Sequence, residues 1–398
     1  MSKLSEKLAK APLLEEERQT KALGVYPYFR AISSDQDAEV TINGKQVLMF
    51  GSNSYLGLTN HPKVKQAGID AIKKYGCGCA GSPFLNGYMD IHVELEQKLA
   101  KFVGKDSAIC FSTGFQSNLG ALSAVVGRGD YIICDERDHA SIVDGRRLSF
   151  ATTLKFKHND MTSLEDVLKK LPLSATKLIV VDGVFSMEGD IANLPEIVRL
   201  SEKYGGSIYV DEAHSIGVLG KEGRGVCNHF GVTDKVDIIV GTFSKSLATI
   251  GGFVAANNEI IDFLRHHSRP YIFSASISPA ATASVIKALD IIQEEPERLQ
   301  HLWDMTNYSL KMFREYGFEI GPTETPIIPL YIRDMRKTFT ITRELLDNGV
   351  FVSPVIPPAC PPEDTLIRFA LMATHTKEQV DRAIDTLVKV FKKYEVIK

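Results

Sequence analysis

No run of 18 apolar residues occurs in this chain, so no membrane-spanning helix is expected. The opening "MSKLSEKLAKAPLLEEERQTKALG" is charged and amphipathic and lacks the apolar core of a secretory leader. Excess basic charge is missing too. Lys and Arg number 46 against 49 Asp and Glu, and no basic stripe suggests nucleic acid. Cysteine is scarce, with Cys77, Cys79, Cys110, Cys134, Cys227 and Cys360 in 398 residues. Cys77 and Cys79 form C-x-C with no His cluster nearby, so small buried thiols are expected, and no metal site. A disulfide framework is not expected in a large reduced protein. These absences point to a cytoplasmic protein. They leave open only a peripheral contact with the inner membrane.

Hydrophobic residues make up 44% and charged residues 24%, an ordinary balance for a globular protein. A chain this long needs more than one core. The expected division is an N-terminal helix and hairpin segment (1–55), a large domain (56–290) and a smaller C-terminal α+β domain (291–398). One exposed helix is expected over 3–23. "EVTINGKQVLMFGSN" (39–53) alternates and carries Asn43-Gly44, which reads as a hairpin. Val- and Ile-rich runs then alternate with helical patterns: "YIICD" (131–135), "KLIVVDGVF" (177–185), "SIYVDEAH" (207–214), "VDIIVGTF" (236–243) and "GGFVAAN" (251–257). Continuous apolar strands between helices argue for a mainly parallel sheet covered on both faces. One long helical stretch is expected over 279–316. "PIIPLYI" (326–332), "IRFALMA" (367–373) and a closing helix (376–393) supply the smaller domain.

Ligands of open parallel sheets bind at the carboxyl ends of the strands. Polar residues at those ends are therefore informative. His139 closely follows one run, Ser186 another, Asp211 and His214 end a third, and Lys245 follows a fourth. Each alone has an ordinary explanation. A strand-end Asp is usually a cap or turn residue, and a lone His is usually structural. In "FSTGFQSNLG" (111–120), Ser112 and Thr113 could simply cap a helix. The same stretch also has the makings of an anion site, with Gly114 and Phe115 at a helix N-terminus. Ser244 could likewise be only a turn residue.

One cofactor explains the whole set. A phosphate would rest on the helix beginning near Gly114. Lys245 in its neutral form would bond an aldehyde, Asp211 would face a pyridine nitrogen and His139 would cover the ring. These are the requirements of pyridoxal 5′-phosphate (PLP). Thr242 would reach the phosphate, and Gly251-Gly252 would let backbone approach closely.

"VDEAHSIGVLGKEGRG" (210–225) and "GTFSKSLATIGG" (241–252) resemble the α-oxoamine synthase family of fold-type-I PLP enzymes. So do "NSYLGL" (53–58), "GCGCAGSPFLNG" (76–87), "DHASIVDG" (138–145), "FSMEGD" (185–190), "PACP" (358–361) and "IRFALMATHT" (367–376), in that order. The resemblance implies an α/β fold with a mainly parallel central sheet and a small C-terminal domain. It assigns His139 to ring stacking, Asp211 to the pyridine nitrogen, and Ser186 and His214 to the phenolic oxygen. Thr242 would bind phosphate, Lys245 would be covalent anchor and general base, and Arg368 would hold the substrate carboxylate with Asn53 nearby. It implies a homodimer whose "YIFSASISP" (271–279) lends Ser274, with Ser276 beside it, to the neighbour's phosphate. Pro83 stands where many members carry arginine, and no role is carried over to it. "FSTGFQSNLG", "DERDHASIVDGRRLSF", "KHNDM" and "VDGVFSMEGDIANLP" are most similar to members that condense L-serine with palmitoyl-CoA into 3-ketodihydrosphingosine. Members using glycine or alanine are the alternative. A non-catalytic partner subunit is a further one, but such subunits typically lack the lysine found here as Lys245. A long acyl chain would need an apolar groove or an open route to a membrane surface, which the amphipathic N-terminus and exposed apolar loops such as "FVSPVIPPACPP" (351–362) could supply, though they could equally be helix packing and ordinary core.

Overall fold

The computed structural model describes residues 2–357 and 359–398. Its strands are β1 (Glu39–Ile42), β2 (Lys45–Met49), β3 (Ser107–Phe111), β4 (Tyr131–Asp135), β5 (Thr152–Phe156), β6 (Lys177–Asp182), β7 (Ser207–Asp211), β8 (Ile238–Thr242), β9 (Gly252–Ala256), β10 (Ile327–Tyr331), β11 (Val350–Phe351), β12 (Ser353–Val355) and β13 (Leu366–Ala370).

Seven of these form the central sheet in the order β3-β9-β8-β7-β6-β4-β5. Alternate residues along its strands enter two different cores. Leu178, Val180, Tyr209 and Val240 pack on one face, and Ile179, Val181, Ile208 and Ile239 on the other. Burial on both faces explains why these strands read as unbroken apolar runs. β4 to β8 run parallel, whereas β9 is antiparallel to both its neighbours. The reason is the short Phe243–Gly251 connection. A parallel return needs a crossover of a dozen or more residues.

The hairpin β1–β2 forms as its Asn-Gly turn predicts, and β2 also pairs in parallel with β11. The N-terminal hairpin thus shares a sheet with a C-terminal segment. β10, β13 and β12 form a second three-stranded sheet, which is antiparallel.

Several expectations need correction. The helix expected over 3–23 is two, Lys3–Ala9 and Pro12–Ala22, because a proline lacks the N–H that would continue the first turn ladder. The stretch over 279–316 likewise splits into Pro279–Glu294 and Glu297–Glu315, and Pro296 forces Glu295 out of helical geometry. β3 and β5 were not anticipated. Among the described residues of 351–362, the reading as ordinary core holds for the first half, while Ala359, Pro361 and Pro362 are exposed. The segment supplies β12, and Val352, Val355 and Cys360 are buried. Pro358, within the "PACP" match, lies outside the described residues. Five cysteines are buried, but Cys77 is exposed.

Candidate active site

The carboxyl ends of β6, β7 and β8 converge beneath the N-terminus of the helix Gly114–Val125, around a cavity of about 320 Å³. That volume suits a small cofactor. Four of the strand-end residues singled out from sequence line it: His139, Asp211, His214 and Lys245. Gly114, Phe115 and Thr242 line it too.

The helix can reach the sheet only because glycines meet there. A Cβ on Gly114 would lie 2.6 Å from the Thr242 Cβ, and one on Gly252 would lie 2.6 Å from the Gly114 Cα. Thr113 caps the helix by accepting from Gln116 N–H (3.1 Å). The first-turn N–H groups at Gly114 and Phe115 lack intrahelical acceptors, which makes this end of the cavity a natural anion seat. Thr242 Oγ1 lies 2.9 Å from Ser244 Oγ and accepts from Ser244 N–H (3.3 Å). Ser244 is thus bonded into the turn and also lines the cavity beside Thr242, so both of its readings, turn residue and phosphate neighbour, stand.

Lys245 is half-buried. It opens onto the cavity and is enclosed by protein elsewhere. Burial lowers its amine to about 8, against the pull of Asp211 and Asp182. Asp211 ends β7, with Oδ2 accepting from Asn118 Nδ2 (2.6 Å) and Oδ1 from Ala213 N–H (2.9 Å). His139 presents an open ring to the cavity, with Phe115 edge-on at 6.4 Å. Surrounding protein lowers its imidazolium below the ordinary value, opposed by Asp211. Burial, with Lys245 and Arg368 nearby, puts His214 well below its usual value, so it stays neutral.

The other expected residues stand apart from the cavity wall. The Ser186 side chain is not among the lining groups. Its carbonyl instead accepts from Arg368 Nε (2.7 Å). Arg368 is buried on β13, and its other anchor is the Tyr55 hydroxyl (3.0 Å). That hydroxyl also lies 2.7 Å from His214 Nδ1 and 3.5 Å from Asn53 Oδ1. Tyr55 thus ties Asn53, Arg368 and His214 together, although they come from distant parts of the chain. Ser274 is half-buried and accepts from Gln116 Nε2 (3.3 Å) in the helix that bounds the cavity. Ser276 N–H donates to Gly81 O (3.0 Å), which docks the loop carrying Pro83 against the same segment.

Sequence reasoning missed Tyr55, Asn118, Ser141 and Asp182. Asp182 could have been found, because it ends "KLIVVD" as Asp211 ends "SIYVD". Asn118 stands one turn after Gly114, and it is a polar residue buried in that helix. Tyr55 lay within a quoted motif, but its role depends on contacts far along the chain.

Residues 45–387 match the model of the family "Aminotransferase class I and II". A serine palmitoyltransferase from Bacteroides ovatus is 64% identical over 397 residues, covering 100% of both chains. An 8-amino-7-oxononanoate synthase from Alkaliphilus metalliredigens is 44% identical over 386 residues, covering 97% of this chain and 98% of that one. Among solved structures, an SPT with PLP internal aldimine superposes with a TM-score of 0.96 at 35% identity, covering 100% of each chain.

Proposed function

Because this chain belongs to the aminotransferase class I and II family, and within it to the PLP-dependent α-oxoamine synthases, we propose that it condenses L-serine with palmitoyl-CoA, releasing CO2 and CoA and forming 3-ketodihydrosphingosine. One observation carries the chemistry. A lysine amine lowered to about 8 shares one cavity with Asp211, His139 and a helix N-terminus. The substrate pair is supported by 64% identity to a serine palmitoyltransferase, against 44% to an oxononanoate synthase.

The residues present fit PLP. Gly114 and Gly252 leave a cradle that a Cβ would fill. The donor set supplies an amine, a carboxylate, an aromatic cover and backbone N–H groups. When bound, PLP supplies an electron sink for the pair left at the amino acid Cα. Lys245 would hold it covalently and take the Cα proton on Nζ. Asp211 would accept from the ring nitrogen, and His214, with Ser186 behind it, would sit toward the phenolic oxygen. The Gly114 and Phe115 N–H groups and Thr242 would hold the phosphate, joined by Ser274 from the neighbouring subunit of a homodimer. Arg368, with Asn53 beside it, would hold the serine carboxylate. His139 would cover the ring and donate to the same carboxylate. Asp182 and Asp211 are adjacent in register, and burial and Asp211 push the Asp182 carboxyl well up.

A panel of amino acids and acyl-CoA thioesters, scored by product mass, tests the reaction. L-serine with a C16 thioester should give the highest kcat/KM. Faster turnover of glycine or alanine with acetyl-, succinyl- or pimeloyl-CoA would overturn the named substrates and leave the family intact.

Two further outcomes follow from the geometry. Only the neutral amine can capture the cofactor, and burial holds the Lys245 ammonium down to about 8. The rate at which cofactor-free protein captures PLP should therefore rise as pH climbs through about 8, then level off. Stopped-flow absorbance reads this directly, and a rate still climbing steeply above pH 10 would show an ordinary lysine. Arg368→Ala should weaken serine binding by about one to two decades, since a charge-assisted pair is worth about 1.5–3 kcal/mol. Spectral titration measures it, and unchanged serine affinity would assign the carboxylate to another group.

A further inference from the structure

Beneath the cavity floor runs a chain of buried hydrogen bonds that the reaction scheme above does not use. The Tyr209 hydroxyl lies 2.6 Å from Asn118 Oδ1. Asn118 Nδ2 reaches both Asp211 Oδ2 (2.6 Å) and Ser141 Oγ (2.8 Å). Ser141 Oγ is 2.7 Å from His139 Nδ1. Asn118, Ser141 and Tyr209 are all buried, and Asn118 and Ser141 border the cavity.

The direction of each bond can be worked out. His139 is the N-cap of the helix Ala140–Leu148, and its Nδ1 accepts from Ser141 N–H (3.2 Å). A ring nitrogen that accepts carries no proton there. The Ser141 hydroxyl beside it must therefore donate to Nδ1, which leaves its lone pairs for the Asn118 amide. The Asn118 amide has only one sensible orientation, because reversing it would set a carbonyl against the Asp211 carboxylate. Tyr209 then donates to Asn118 Oδ1, and every donor has an acceptor. Asp182 fixes the backbone at the far end, with Oδ2 accepting His139 N–H (3.0 Å).

We propose that Asn118 and Ser141 are positioning residues that hold His139 as the neutral imidazole protonated at Nε2 and link its ring to Asp211 through the Ser141 hydroxyl and the Asn118 amide. An imidazole in that state can donate to a carboxylate from Nε2, and its one basic nitrogen, Nδ1, is occupied by the Ser141 hydroxyl and N–H. Proton removal then falls to Lys245. The two groups meant to contact a cofactor ring, one at its face and one at its nitrogen, also become parts of one rigid unit. Side chains locked by such supporting bonds keep the geometry that a reactive site needs.

The inference rests on reading His139 as the ring-facing residue. The tautomer can be observed whatever substrates the enzyme takes, so the two readings fail separately. The experiment is solid-state 15N NMR on holoprotein labelled at the histidine ring nitrogens, with the His139 signals identified by their loss in His139→Gln. The expected result is an unprotonated Nδ1 and a protonated Nε2. Ser141→Ala, which keeps only the longer backbone bond to Nδ1 (3.2 Å) and loses the hydroxyl bond (2.7 Å), should shift part of the population toward Nδ1–H, and Ser141→Thr, which keeps the hydroxyl, should restore the native signals. Ser141→Ala should also lower kcat about fivefold to tenfold, as expected for one lost hydrogen bond, with the KM for the amino acid little changed. A proton on Nδ1 in the native protein would overturn the proposal. So would an unaltered tautomer in both Ser141→Ala and Asn118→Ala.

Discussion

Lys245→Ala is expected to abolish turnover, with a loss of at least about a thousandfold, within the range for removing a positioned proton-transfer group. The visible absorption of the holoprotein should vanish with it. The same variant should remain folded. Lys245 Nζ makes no hydrogen bond or ion pair among the described residues, so its removal leaves no partner stranded. Enclosure is costly for a cation and lowers the amine to about 8, while Asp211 and Asp182 offset part of that cost through charge without a hydrogen bond. Activity and absorbance should be measured together, with circular dichroism as the control for folding. Retained visible absorption in a folded Lys245→Ala protein would move the covalent anchor elsewhere.

Asp211→Asn should lower kcat by about 100- to 1,000-fold, the usual cost of removing a preorganised electrostatic partner of a reacting centre. The substitution is nearly isosteric. Its one carbonyl oxygen can keep the bond from Ala213 N–H, while its NH2 faces the Asn118 amide and that bond is lost, so the strand end should keep its shape and the cavity its cofactor. What is lost is the anion that would meet a ring nitrogen. Rates at saturating serine, with cofactor content measured on the same sample, check this. A change within threefold would make Asp211 a strand-end structural residue.

Much of this arrangement is legible in the sequence. Asp211, His214, His139 and Lys245 were legible because an open parallel sheet presents its strand ends on one rim, and polar residues ending apolar runs mark that rim. Gly114, Phe115 and Thr242 were legible because an anion seat needs a helix N-terminus and small neighbours. The Ser186 side chain is not among the groups that line the cavity. The residue follows the same kind of run, but its carbonyl is turned toward Arg368. Tyr55 carried no local signal. Its value comes from His214 and Arg368, which only the folded chain brings to it. The reversal of β9 follows from a connection too short for a crossover, which was visible but unread. The helix breaks at Pro12 and Pro296 were also in plain view, where apolar periodicity was followed past a residue that cannot continue a helix.

The central claim is that Lys245 holds the cofactor in the cavity at the ends of β6, β7 and β8. Borohydride reduction of the holoprotein, then proteolysis and mass mapping, tests it most directly. The account predicts a single pyridoxyl modification, on the peptide carrying Lys245 within "GTFSKSLATIGG". The same label on any other lysine, with Lys245 unmodified, would contradict it.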